Sequence, residues 1–243
     1  MKLRRIRALV EKDIRIYYAK GPVVIFGLLL PAFFFLAFTV GREMSGHQLF
    51  SGLVGMALWF TATSISPVIA PWESRDGTLE RLVSSPASVG EIVVGDVAAS
   101  GAVGISLTGL GALVLLAALD LAIVHPFVLL AALLLGALGF SSLGVLMAAV
   151  PTDSPADVMM LATMIKFPII FVSGVFIPIA ELPAWARLIA YASPLTYLVE
   201  AIRYSLGEGE HPLLWLGGGL AFLVASLTLA VHFHRKTLPR RLQ

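Results

Sequence analysis

Charge is missing from most of this chain, and its absence is organised. No Asp, Glu, Lys or Arg occurs in residues 21–41, 44–72, 97–119, 121–152 or 211–234, and residues 158–180 carry only Lys166. A helix needs about 20 apolar residues to cross the hydrocarbon core, and all six stretches are long enough. Only 13% of the chain is charged and 58% is hydrophobic, whereas a soluble domain carries about 25% charge. A water-facing coat cannot be made from so little. A soluble enzyme, a disulfide-rich secreted domain and a disordered tail are excluded, and the chain reads as an all-α, polytopic membrane protein.

The stretches predict six transmembrane helices near residues 22–40, 50–69, 97–119, 126–150, 158–177 and 213–233. The apolar part of the first is longer than the roughly 7–15 residues of a signal peptide, so it is expected to stay as a span. Basic residues set orientation. Thirteen lie in the two tails and the even-numbered loops, among them Lys2, Arg4, Arg5, Arg7, Lys12, Arg75, Arg81 and Arg235, against three in the odd loops, Arg42, Arg187 and Arg203. Both termini are thus expected in the cytoplasm of a plasma-membrane protein. The net charge is +2, with the excess in the tails, which favours anionic lipid over nucleic acid. Residues 1–20 form an expected cytoplasmic segment ahead of a 21–243 membrane domain. In it Leu3, Ile6, Val10, Ile14 and Tyr17 recur at helical spacing, which predicts an amphipathic helix lying in the interface, apolar stripe in the acyl boundary. A disordered basic tail is the alternative.

Three connecting features stand out. The internal loop 72–91 carries an Asp76-Gly77 turn and then a short helical run from Thr78, expected as N-cap, through Leu79, Glu80, Arg81 and Leu82 to a stop at Pro86. It suits docking to another protein, or it simply joins two spans. The external stretch 181–206 is too apolar for an ordinary loop, and Pro183 and Pro194 cut it into pieces too short to span. With Trp185, Tyr191, Tyr197 and Tyr204 it predicts two short helices that sit at the interface or re-enter the bilayer. Glu200 and Arg203, three apart, can pair on one of them. In the third span Ser100, Gly104, Thr108 and Ala112 make a flat small-residue face of the kind that lets helix backbones approach. Lys166 lies some nine residues inside the fifth span, where a charge costs about 2.5–3.5 kcal/mol. Either it faces a path or an interface, or the span starts later and its ammonium reaches the inner headgroups.

Chemistry is sparse. No lysine follows glycine, so the Gly-Lys-Ser/Thr phosphate loop of an ATPase is absent. There is no cysteine, and His232 and His234 project to different helix faces, so no metal site is expected. Ser141 or Ser142 with His232 gives an alternative plan, that of rhomboid intramembrane serine proteases. Position 142, however, is Ser where that family's motif needs Gly, and the serines lie toward the wrong side.

The N-terminal helix, the six spans, the loop GTLERLVSSP and the stretch FVSGVFIP…LPAWARLIAYASPLTYLVEAIR together resemble the membrane subunits of type-2 ABC exporters, over essentially the whole chain. The resemblance implies a permease and not an enzyme. It makes Glu73, Gly77, Thr78, Leu79, Glu80, Arg81 and Leu82 part of a coupling helix that enters a cleft of an ATPase subunit. It makes Trp185, Tyr191, Pro194, Tyr197, Glu200 and Arg203 an external gate of re-entrant helices. It implies two ATPase subunits holding ATP and Mg, a second permease subunit, identical or similar, and contact with membrane lipid. No cofactor is expected on this chain. The cargo implied is amphipathic, lipid-linked, drug-like or polymeric.

Overall fold

The computed structural model describes residues 2–18 and 25–241, and every described element is helical. In chain order these are α1 (Lys2–Asp13), α2 (Leu30–Thr39), α3 (Gly46–Ala62), α4 (Ile69–Arg75), α5 (Thr78–Val83), α6 (Val89–Ala118), α7 (Pro126–Met147), α8 (Pro155–Val172), α9 (Ala184–Ala192), α10 (Pro194–Ser205) and α11 (Pro212–Arg241). A π-helical turn, Ile14–Tyr18, extends α1, and another, Ile25–Leu29, precedes α2. Five described segments are long and apolar enough to cross a membrane: α3 with α4, then α6, α7, α8 and α11. Of the expected first span, residues 22–24 lie outside the described residues, and the α-helical part that is described is the ten-residue α2.

Two starts fall earlier than hydropathy placed them, for the same reason. Ser88 and Glu91 form a capping box, each side chain satisfying the other's backbone N–H, so α6 begins at Val89 and not at residue 97. Its 30 residues make it about 45 Å long, well beyond a hydrocarbon core. Ser45 and Gln48 do the same for α3. Together with α4, which carries the second span on to Arg75, this shrinks the internal loop to residues 76–88 with α5 inside it.

The second span is broken. Pro67 has no N–H to give the Thr63 carbonyl and its ring clashes with that turn, so α3 stops at Ala62 and a 3₁₀ turn, Ser66–Val68, leads into α4. In lipid the freed carbonyls need donors. Ala62 O accepts from Ser100 Oγ at 2.7 Å and from Ser66 Oγ at 3.1 Å, and Thr63 O from Lys166 Nζ at 3.2 Å. The expected small-residue face of α6 is fully buried and meets α3 here: a Cβ on Gly104 would stand 3.4–3.6 Å from Leu58 and Ala62. The core lies between α3, α7, α10 and α11, around Trp59, Phe140, Leu195, Leu198 and Ile202. Trp59 and Phe140 meet edge to face at 4.7 Å.

The amphipathic helix forms, and part of it packs against the rest of the chain. Leu9, Asp13, Tyr17 and Tyr18 are buried within the chain, and Tyr17 and Tyr18 pack against Ile69 and Ala99; of the expected stripe, Leu3 is left exposed. The approach is close enough to need glycine, since a Cβ on Gly95 of α6 would lie 2.8 Å from the Leu9 Cβ. Gly95→Val is therefore expected to cost about 1–3 kcal/mol by overpacking, seen as a lower unfolding midpoint, and to expose the arginines of α1 to trypsin. An unchanged cleavage pattern would show that this contact does not hold α1.

Candidate functional site

Three clusters of polar side chains interrupt the apolar structure. The first sits where α1, the end of α4 and α5 meet. Glu73 is 4% exposed; its Oε1 accepts from Lys12 Nζ and from Tyr17 OH at 3.4 Å. Trp72 stacks on Tyr17 at 5.8 Å. Lys12 also lies 2.9 Å from the buried Asp13, and the buried Asp96 of α6 adds a third acid to its surroundings. Burial alone would lower the Lys12 ammonium, but Glu73 first and Asp13 next outweigh it and hold it above its ordinary value. A lysine raised in the folded state contributes fully below its unfolded value, about 10.4, and loses that contribution only above it. The lysine's own contribution is thus insensitive to pH around neutrality. Burial also pushes the Tyr17 phenol up, with Glu73 adding to it.

At its other end α1 grips the same loop. Arg5 donates to Pro86 O at 2.7 Å and lies 3.6 Å from Glu91. Between these ties α5 stands outward. Gly77, at φ 66°, makes the left-handed turn that starts it, and Thr78 is its first helical residue, not the expected N-cap: its hydroxyl donates back to Glu73 O at 3.3 Å. Glu80 and Arg81 are exposed and Leu82 is half-buried. Leu79 is 2% exposed against its own chain and seats α5 instead of offering itself to a partner. Ser74 Oγ donates to Asp153 Oδ1 at 2.6 Å, joining the end of α4 to the loop between α7 and α8.

The second cluster is on the opposite side. The apolar stretch forms two short helices, α9 and α10, divided at Pro194 as expected. They differ in burial. α9 is peripheral, with Trp185 and Leu188 exposed, whereas α10 sinks Leu195, Val199 and Ile202 into the core. Tyr191 stacks on Trp215 at 6.1 Å and Tyr197 OH donates to Tyr191 O at 2.5 Å. Glu200 and Arg203 pair at 2.6 Å as their spacing implies. Arg203 further donates to Gly174 O at 2.8 Å and approaches Ser51 Oγ at 3.4 Å, fastening α10 to the turn after α8 and to α3. Burial pushes the Glu200 carboxyl up and Arg203 opposes it.

The third is Lys166, 5% exposed, held by Thr63 O and 5.9 Å from the centre of the Phe60 ring. It faces protein and lines a cavity of about 450 Å³ shared with the broken second span. No such convergence supports proteolysis. Ser142 Oγ donates to Leu138 O at 2.7 Å, Ser141 Oγ is buried without a hydrogen bond, and His232 is exposed and meets Phe233. No three His, Asp or Glu side chains among the described residues could hold a metal ion.

The chain is an all-helical bundle with several membrane-spanning helices, a fastened loop helix on one side and a short-helix cap on the other. The family model for ABC-2 type transporters matches residues 4–206, and the chain belongs to that family. It is an ABC transporter permease, a transport subunit of a kind that normally works with an ATPase subunit. Comparison with curated proteins gives no match.

Arg203 holds a carboxylate, a carbonyl and a hydroxyl together. Arg203→Leu strands a buried carboxylate and a carbonyl, and is expected to destabilise the chain by about 3–5 kcal/mol. Glu200→Leu/Arg203→Leu, which removes both charges, should recover part of the unfolding midpoint in detergent. A double variant no better than the single one would show that charge pairing is not what holds α10.

Proposed function

We propose that this chain is the permease of an ABC exporter that acts as a pair of permease subunits with two ATPase subunits, ATP and Mg being held by the latter. It crosses the membrane six times with both termini in the cytoplasm, and α9 and α10 dip into the outer leaflet without crossing. The cargo is amphipathic, lipid-linked, drug-like or polymeric. The observation that carries the reading is α5: a short, stiff helix with exposed charges on a base of buried ones. Energy must enter through a contact with another protein, because the chain has no phosphate loop. Glu80, Arg81 and Leu82 form that contact, while Glu73, Gly77, Thr78 and Leu79 set its position. Trp185, Tyr191, Pro194, Tyr197, Glu200 and Arg203 form the outer closure.

Breaking a desolvated charge pair at an interface costs about 2–5 kcal/mol. Glu80→Arg should therefore weaken co-purification with the ATPase, or uncouple hydrolysis from transport, at normal membrane levels. Assembly, cargo-stimulated hydrolysis and transport all persisting would place the coupling contact elsewhere. The topology has its own check: single cysteines at Trp185, Leu188 and Tyr204 should never label from the cytoplasmic side. Cytoplasmic labelling of any of them removes the six-span arrangement.

A further inference from the structure

The cavity beside Lys166 has a chemistry that the permease reading leaves open. Its wall is apolar, built from Leu30, Phe60, Ile65, Val68, Met159 and Phe167, and no acidic residue lines it. Two of its hydroxyls are already spent on their own helices: Ser64 Oγ donates to Thr61 O at 2.9 Å and Thr163 Oγ1 to Met159 O at 2.7 Å. Lys166 differs. An ammonium has three N–H donors, and among the described residues it makes a single hydrogen bond, to Thr63 O. No carboxylate lies within ion-pairing distance of it among the described residues. A buried charge with no counter-charge is costly unless something supplies one. The space beside it is large enough for a chain of methylenes and too apolar to favour a hydrated small anion.

We infer that this cavity binds an acyl-chain amphipath bearing one anionic group, drawn from the bilayer, with Lys166 as its counter-ion. The inference deepens the permease reading by giving the cargo a chemical class, and it rests on that reading for the transport step alone. The anion takes the two free N–H donors while Thr63 O keeps the third in place. The chain lies along Met159, Val68 and Phe167. A neutral amphipath fits the same walls but leaves the ammonium unpaired, and a short anion pairs with it but leaves the walls unfilled.

The chain has no cysteine, so Met159→Cys places a single thiol on the cavity wall and Leu113→Cys, on the exposed side of α6, serves as a control. With the full chain in phosphatidylcholine vesicles, hexadecanesulfonate should slow methanethiosulfonate labelling of the Met159→Cys thiol several-fold and leave the control unchanged. Hexadecanol and methanesulfonate should do neither. Adding Lys166→Met should abolish the protection. Equal protection by hexadecanol or methanesulfonate, or none by hexadecanesulfonate, overturns the inference in the native-lysine background, whether or not the Lys166→Met variant folds. Failure here leaves ATPase assembly and the Glu80→Arg result untouched, so the two readings fall separately.

Discussion

A proline in the second span opens the backbone to which Ser100 and Lys166 bond. Pro67 denies Thr63 its usual donor, and in hydrocarbon an unmet carbonyl costs too much to leave. Donors arrive from two other spans: Ser100 reaches Ala62 O from α6 and Lys166 reaches Thr63 O from α8. One break thereby ties three spans at a single level and gives a membrane-embedded lysine a reason to be there. The cavity follows from the same cause, since a helix that stops and restarts cannot fill the volume that a straight one would.

The cluster around α1 and α5 solves a different problem. A loop helix of six residues is far too short to be stable alone. It is fixed by Leu79 beneath it, by the Thr78–Glu73 bond at its start, and by α1, which holds the loop through Lys12 near one end and Arg5 at the other. α1 is in turn fixed against α6 through the close Leu9–Gly95 approach. The amphipathic segment is thus less a float on the membrane than a strap across the loop.

Much of this was legible from residue types alone. Five of the six stretches poor in charge coincide with helices long enough to span, the four-residue spacing of Ser100, Gly104, Thr108 and Ala112 predicts a packed face, and Pro194 predicts the division between α9 and α10. Glu200 and Arg203 announce their pairing by spacing. Other signals were present and outweighed: hydropathy starts a span at its first apolar run, whereas the Ser88–Glu91 and Ser45–Gln48 boxes start the helices earlier. The inward burial of Asp13 was not legible, because its neighbours along α1 are charged and only the docking of α6 makes that face an interior. The Lys166–Thr63 bond joins residues 103 apart, and no local pattern encodes it.

α4 connects the two halves of this argument. Its C-terminal end carries Glu73, on which the loop helix rests, and it begins just beyond the break whose carbonyl holds Lys166. Seven helical residues make a rod about 10 Å long, too short to bend appreciably. α4 thus lies directly between the turn that starts α5 and the 3₁₀ turn at Ser66–Val68. That turn is the compliant point, since Pro67 removes a backbone hydrogen bond there and side chains, not the helix ladder, satisfy the carbonyls that it frees. The bonds from Lys166 to Thr63 and from Ser100 to Ala62 are the contacts that a movement of this turn would load, because they join the freed carbonyls to two other spans.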